Sequence, residues 1–104
     1  MKNTTTKKTF ILGLFDKDTK QQVFSTTEAY KVIEKMVCKF FWWGSISESR
    51  WVYTHDNWKI VIEPSISIIS FTEKDHKEFV ELLKDIFNQE SILVDIQKSE
   101  LSFE

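Results

Sequence analysis

The feature that most restricts the fold of this chain is the order in which strand-like and helix-like periodicity follow one another. KTFILGLFD has the length and apolar content of a buried strand, and SILVDIQKSELSF alternates apolar and polar residues as a half-buried strand does. Between them lie two stretches with helical periodicity and a further pair of extended runs. The predicted order is therefore β-α-β-β-α-β.

Each predicted helix carries apolar residues at the spacing that places them on one face. In the first helix, Ser25 and Glu28 have the S-x-x-E spacing of a capping box, which predicts where the helix begins. In the second helix, Thr72 is the predicted N-cap. We expect both apolar faces to cover one core. They consist of Ala29, Ile33, Met36, Val37 and Phe40 in the first helix and Phe79, Leu82, Leu83, Ile86 and Phe87 in the second.

Two helices in this element order can cover the same face of a four-stranded antiparallel sheet. This is the ferredoxin-like arrangement of the α+β class, in which the first and third strands are central and the second and fourth lie at the edges. Pro64 conflicts with a central third strand, because proline cannot donate to a ladder, and it predicts a bulge or bend over residues 63–65. The middle strands flank Asp56 and Asn57, which predict a hairpin with a two-residue turn.

Length and composition predict a single folded domain. The chain has 104 residues, 41% of them hydrophobic, which suffices for one core. Residues 1–8, MKNTTTKK, are polar and basic, and we predict a flexible segment there, followed by one domain over residues 9–104. No apolar run is long enough to span a bilayer, and the start lacks the apolar region of a secretory signal. A cytoplasmic protein without a membrane partner is expected.

Several chemistries are disfavoured by the residue types available. One cysteine and two histidines match no zinc pattern, and two glycines provide no phosphate-binding loop, so no cofactor or metal is expected. Cys38 is predicted to be a small buried side chain in the first helix. The net charge of −2 makes nucleic acid an unlikely partner, because the chain has no overall positive field.

The four tryptophans all lie between residues 42 and 58. On the predicted second strand, alternation places Trp51 and Tyr53 on one face, which we expect to be the face that the helices leave open. A two-residue turn would bring Trp58 beside them across the hairpin. We predict that at least two of these three rings form a binding surface, with Arg50 and Lys59 available for phosphate groups. The alternative is that they belong to the core.

Three further polar residues are candidates for the same surface. Glu63 lies in an apolar strand beside Pro64, so its carboxylate either faces outward or is buried against a partner. Gln89 and Glu90 belong to the turn NQES, whose hydrogen-bonding capacity exceeds what ending a helix requires. The predicted ligand- or partner-binding residues are Arg50, Trp51, Tyr53, Trp58, Lys59, Glu63, Gln89 and Glu90; no catalytic residue is assigned.

The chain resembles a group of small uncharacterised proteins of Gram-positive bacteria, their phages and their conjugative elements. The resemblance covers roughly residues 9–97 and is carried by GLFDKDTKQQVFSTTEAYKVI, IVIEPSISI and FNQESILV. It implies a compact α+β domain in a mobile-element setting, hence a bacterial host cell, and no catalytic residue. The sequence departs from this pattern where a glycine is expected, since Trp58 directly follows HDN.

Three classes of function fit these features. The first interpretation is a non-enzymatic binding protein that sequesters or blocks a host defence protein or a nucleotide-like signal through the aromatic sheet face. The second is a small dimeric ferredoxin-like enzyme with a carboxylate such as Glu63 in an aromatic pocket with Trp58. The third is a single-stranded nucleic-acid binder, placed last because KIVIEPSISIISF lacks the aromatic signature of RNA-binding sheets. A homodimer, formed sheet to sheet, is the expected assembly.

Overall fold

The computed structural model describes residues 2–104, with side chains from Thr4 onward. Its elements follow the predicted order. None of the helices in this range is long and apolar enough to cross a membrane. The strands are β1 (Lys2–Gly13), β2 (Ser45–Thr54), β3 (Ile60–Phe71) and β4 (Leu93–Ser102), and the helices are α1 (Thr26–Phe41) and α2 (Lys77–Phe87).

The four strands form one antiparallel sheet in the order β2-β3-β1-β4. The first and third strands are therefore central, and the second and fourth are the edges. This confirms the predicted ferredoxin-like α+β fold, with its two helices and its four-stranded antiparallel sheet.

Strand alternation gives the sheet one covered and one open face. In the middle of the central strands, the even-numbered side chains of Phe10, Leu12, Ile66 and Ile68 are fully buried in a cluster with side chains from both helices. The Phe10 ring lies 5.8 Å from Phe41 of α1 and 5.0 Å from Phe79 of α2, measured between ring centroids. Odd-numbered side chains of β1 and β3 point to the opposite face, which is available for a ligand.

Helix α1 begins as the sequence predicts. The Ser25 hydroxyl accepts a hydrogen bond from the Glu28 N–H at 3.1 Å, and the Glu28 carboxylate accepts one from the Ser25 N–H at 3.3 Å. This capping box satisfies two backbone donors at the helix start. The prediction for Cys38 is wrong, because its side chain is exposed, next to the buried Val37.

Helix α2 begins four residues later than predicted, at Lys77, with His76 in place of Thr72 at the N-cap position. The hydroxyl of Thr72 accepts a hydrogen bond from the Lys74 N–H at 3.0 Å, so it closes a local turn instead of capping the helix. Phe79 and Leu83 are buried on the helix, but Leu82 is about one third exposed at 36%. The apolar face is therefore narrower than the sequence pattern suggested.

Residues 2–8, which belong to the predicted flexible segment 1–8, form the first part of strand β1. Strand β1 begins at Lys2, and its first residues pair with β4 from Lys2 opposite Ser102 to Lys8 opposite Ile96. The threonines in this stretch are β-branched and favour strand structure. Their partner strand lies more than 80 residues away, so local composition did not reveal the pairing. Met1 is outside the described residues.

The predicted bulge at Pro64 is absent, and β3 continues through it in register with β2. The Pro64 carbonyl accepts a hydrogen bond from the Leu14 N–H at 2.9 Å, just beyond the end of β1. Because the N–H and C=O of one strand residue point to the same side, the missing N–H of Pro64 faces this strand end. The β2–β3 ladder therefore loses no hydrogen bond at Pro64, and the strand continues without a bulge.

The hairpin between β2 and β3 has a three-residue turn instead of the predicted two-residue turn. The His55 N–H donates to the Lys59 carbonyl at 3.0 Å, and the Trp58 N–H donates to the His55 carbonyl at 2.8 Å. Trp58 has φ = 64°, the left-handed conformation that usually selects glycine at this position. Its ring is 85% exposed at the tip of the hairpin.

Candidate functional site

A cleft of about 930 Å³ opens on the uncovered face of the sheet, at the end where β1 finishes and β4 begins. It is lined by the ends of these two strands, by the outer part of the β2–β3 hairpin, and by the β1–α1 and α2–β4 loops. Antiparallel pairing brings these parts together, since Ile11 lies opposite Leu93 and Gly13 lies opposite Ser65. Segments far apart in the sequence thus meet at one sheet end.

Aromatic side chains of β2 form one side of the cleft. Trp51 and Tyr53 are two residues apart, so alternation directs both toward the open face, and each is 36% exposed. His55 follows on the same side, with its ring edge-on to Tyr53 at 5.6 Å between centroids. These rings offer apolar faces against which a flat ligand could stack.

Glu63 contributes a carboxylate to the cleft from the central strand β3. It lies opposite Trp51 in the strand register and is half-buried. Its Oε2 accepts a hydrogen bond from the Phe15 N–H at 2.9 Å. Of the two alternatives for Glu63, outward-facing or buried with a partner, the structure combines parts of both: the side chain lies on the open face, and a backbone donor fixes it.

Hydrogen bonds join the two loops that form the other side of the cleft. The Gln89 side-chain amide donates to the Phe15 carbonyl at 2.6 Å. The Lys17 N–H donates to the Asn88 carbonyl at 3.0 Å, and the Asn88 amide donates to Asp16 Oδ2 at 2.8 Å. Glu63 and Gln89 therefore hold the same residue, Phe15, through its N–H and its carbonyl.

The carboxylate of Asp16 organises the β1–α1 loop. Besides Asn88, it accepts hydrogen bonds at Oδ1 from the N–H groups of Asp18 at 2.9 Å and Thr19 at 3.0 Å. The Asn88 amide and these two backbone donors lower the pKa of Asp16 below its usual value. Asp16 is consequently ionised at neutral pH, and its carboxylate oxygens are occupied by hydrogen bonds that fix the loop.

Charges of both signs surround the cleft. Lys17 and Lys20 line it from the β1–α1 loop, and Glu90 lines it from the α2–β4 loop. Over residues 2–104, no group of three or more histidine, cysteine, aspartate or glutamate side chains is arranged to hold a metal ion. The cleft can therefore offer ring faces, the fixed carboxylate of Glu63 and the ammonium groups of Lys17 and Lys20 to a single ligand.

Five of the eight predicted site residues line this cleft, and three do not. The five are Trp51, Tyr53, Glu63, Gln89 and Glu90.

The other three lie elsewhere because of alternation and turn geometry. Arg50 points to the opposite face from Trp51 and lines a smaller hollow of about 410 Å³ with Thr26 and Pro64. Trp58 and Lys59 belong to the hairpin turn, and the three-residue loop directs the Trp58 ring into solvent instead of across to Tyr53. Neither Trp58 nor Lys59 lines the cleft.

The sequence interpretation missed the loop residues of the cleft. These residues are Phe15, Asp16, Lys17 and Lys20, which follow β1, and His55, which directly follows β2. The usable signal was topological: in this fold the end of the first strand and the start of the fourth are neighbours at one end of the sheet. That placement brings the two loops together even though 70 residues separate them.

Comparisons with known proteins add a fold likeness. No family model matches the sequence, and no curated protein matches it. Among solved structures, a phage SAM lyase in complex with S-methyl-5′-thioadenosine is similar, with a TM-score of 0.64, 21% identity, and 95% of this chain and 90% of that chain covered. A phage SAM lyase in the apo state is also similar, with a TM-score of 0.56, 21% identity, and 97% and 91% covered. At this identity the likeness establishes the fold.

Proposed function

We propose that this chain is an enzyme that cleaves S-adenosylmethionine between its sulfur and Cγ atoms and releases S-methyl-5′-thioadenosine. The observation that carries the proposal is the fixed carboxylate of Glu63 beside the aromatic ring of Trp51 in one cleft. The fold likeness to phage SAM lyase, one form of which holds S-methyl-5′-thioadenosine, supports the choice of substrate. The proposal adopts the enzyme interpretation of the sequence, with Glu63 and without Trp58.

The chemistry of this substrate matches the residues of the cleft. The adenine ring is flat and can stack against Trp51 or Tyr53. The sulfonium and the α-ammonium group are cations, which the Glu63 carboxylate attracts, and the α-carboxylate can reach Lys17 or Lys20. A volume of about 930 Å³ also lies within the range of small-molecule sites, roughly 300–1,000 Å³.

The proposed cleavage needs no water. The sulfur keeps the electron pair of the broken Cγ–S bond, and the electrons that replace this bond at Cγ come from another part of the same substrate molecule. In one route the substrate carboxylate attacks Cγ, the Cγ–S bond breaks, and a five-membered lactone forms. In the other route a base removes a proton from Cβ, the electrons of the Cβ–H bond form an alkene, and the Cγ–S bond breaks. Both routes leave neutral S-methyl-5′-thioadenosine.

Glu63 has a defined task in either route. In the first it binds the α-ammonium group and thereby orients the attacking carboxylate of the substrate. In the second it is the base that accepts the Cβ proton. Mass spectrometry of the four-carbon product distinguishes the lactone from the alkene and assigns the route.

The test is to incubate the purified chain with S-adenosylmethionine and to measure S-methyl-5′-thioadenosine by chromatography. We expect Glu63→Gln to lower the rate of release by roughly 100-fold or more, the scale of a lost catalytic proton transfer or misplaced group. Glu78→Gln is the matched control, because Glu78 is exposed on α2 and outside the cleft. Equal rates for the two variants, or no product from the wild-type chain, would refute the proposal.

Binding without turnover is the second candidate function, and the exposure of Trp51 and Tyr53 favours it. In this case the chain sequesters a nucleotide-like ligand, as the first interpretation of the sequence has it. Calorimetry with S-methyl-5′-thioadenosine and S-adenosylmethionine decides between the two: saturable binding with no product would favour sequestration. Either function would withhold a methyl donor or a signal from host enzymes, which fits the anti-defence role expected of a mobile element.

A further inference from the structure

The carboxylate of Glu63 occupies a space that exists because residue 13 has no side chain. A Cβ added to Gly13 would lie 2.7 Å from Glu63 Cδ, 3.1 Å from Oε1, and closer still to Oε2. Carbon atoms normally pack at about 3.5–4.0 Å, so a methyl group and this carboxylate cannot occupy their present positions together. Glu63 therefore reaches from β3 across the end of the neighbouring strand β1.

The backbone conformation of Gly13 does not itself require glycine. None of the glycines in residues 2–104 has positive φ, so alanine at position 13 meets no backbone strain. Gly13 also pairs regularly with Ser65 in the β1–β3 ladder. The feature that glycine provides at this position is room for a neighbouring side chain.

We infer that Gly13 is a positioning residue for Glu63, an inference that rests on the proposed function of the cleft. Two contacts fix the carboxylate: the Phe15 N–H binds Oε2 at 2.9 Å, and the bare backbone of Gly13 lies against the carboxylate on the open face. Both come from residues 13–15, a three-residue stretch that begins at the last residue of β1. This stretch sets where the negative charge lies relative to the ring of Trp51.

The size of the expected effect follows from the overlap. Moving the carboxylate from 2.7 Å to a normal contact with a new methyl group requires a shift of about 1 Å, and a 1 Å misplacement can cost roughly 100-fold in rate. The same shift lengthens the hydrogen bond to Phe15. The rings and ammonium groups elsewhere in the cleft stay in place and the shifted carboxylate keeps its charge, so we expect Gly13→Ala to lower kcat by roughly 10- to 100-fold and to change KM less than kcat.

The experiment is a double-variant cycle with Glu63→Ala, which removes the carboxylate that meets the new methyl group. If Gly13 acts through Glu63, Gly13→Ala has no further effect on turnover in the Glu63→Ala background. In the background of the control Glu78→Gln, the full loss remains. A loss of equal size in the Glu63→Ala and Glu78→Gln backgrounds would overturn the inference, since Gly13 would then act independently of Glu63.

A second readout separates this inference from the proposed function. The NMR shift of the Phe15 amide proton depends on its hydrogen bond to Glu63, so both Gly13→Ala and Glu63→Ala should move it. This holds even if the wild-type chain releases no S-methyl-5′-thioadenosine, which refutes only the proposed function. An unchanged Phe15 signal in Gly13→Ala would overturn the positioning role whatever the activity.

Failure of Gly13→Ala to fold would also be informative. The overlap with the carboxylate would then be the cause, and the double variant with Glu63→Ala should fold because the overlap is gone. Circular dichroism and thermal unfolding of the two variants measure this. A double variant that also fails to fold would contradict the inference.

Discussion

Replacing Trp51 by alanine should weaken ligand binding while leaving the chain folded. Trp51 lies on the open face of β2 and lines the cleft, whereas the hydrophobic core lies on the other side of the sheet. A ligand seated in the cleft would cover the part of the ring that is now exposed. Truncation therefore removes contact area with the ligand, and it leaves the residues that hold the sheet and helices together in place.

The magnitude follows from the exposed area of the ring. A tryptophan buries roughly 250 Å² when fully covered. Trp51 is 36% exposed, so about 90 Å² remains for a ligand to cover. At about 25 cal/mol per Å² this area contributes about 2 kcal/mol, which corresponds to a roughly 30-fold weaker affinity.

Calorimetric titration with S-methyl-5′-thioadenosine measures the affinity, and Trp58→Ala is the matched control. Trp58 is 85% exposed at the hairpin tip and outside the cleft, so its removal should leave the affinity unchanged. Sedimentation of the same variants tests the predicted homodimer, since an interface on the open face would also weaken in Trp51→Ala. Equal loss of affinity in both variants, or none in Trp51→Ala, would refute this account of the cleft.

Three further predictions concern stability. Leu83→Ala should lower the free energy of unfolding by about 2–5 kcal/mol in urea titrations, because it leaves a cavity in the core. Leu82 is 36% exposed, so Leu82→Ala should lower the free energy of unfolding clearly less. Equal losses in the two variants would contradict the assignment of Leu83 to the buried face of α2. Trp58→Gly should raise the free energy of unfolding by about 1 kcal/mol, because glycine adopts the left-handed conformation without steric cost, and a decrease would argue against this turn. Hydrogen bonds lower the pKa of Asp16 in the folded state, so the ionised carboxylate stabilises the fold. This stabilisation is fully present at pH values above the unfolded-state pKa of about 3.9, and it is lost as the pH falls through the lower pKa of the folded state. Asn88→Ala should raise that folded pKa toward its usual value in a ¹³C NMR titration, and an unchanged value would exclude the Asn88 amide as the main cause.

The fold could be predicted from the sequence because each element carries its own periodic pattern. The capping box at Ser25 and the alternation in the last strand are local signals, and both depend on residues within a few positions of each other. The early part of β1 lacked such a signal, since its pairing partner lies at the other end of the sequence. The start of α2 was missed because Thr72 can bond its own turn equally well.

The site could be predicted only where strand alternation determines it. Alternation correctly grouped Trp51 with Tyr53, and the apolar surroundings of Glu63 marked its carboxylate as unusual. Arg50 is adjacent to Trp51 in the sequence but lies on the other face, so proximity along the chain was misleading. Trp58 was misplaced because the turn has three residues, a difference that depends on hydrogen bonds and not on composition.

The position of β1 between β3 and β4 also bears on how the chain folds. The β2–β3 hairpin pairs residues close in sequence, so it can form within microseconds. Strand β1 must instead pair with β3 across about 60 residues of chain and with β4 across 80 to 100 residues. Such non-local pairing is slow, because the chain loses conformational entropy before the stabilising contacts form. Of the four strands, β1 leaves the ribosome first during synthesis and β4 leaves it last. Until then one edge of the central strand stays unpaired, and pairing with another molecule is the main hazard of that interval.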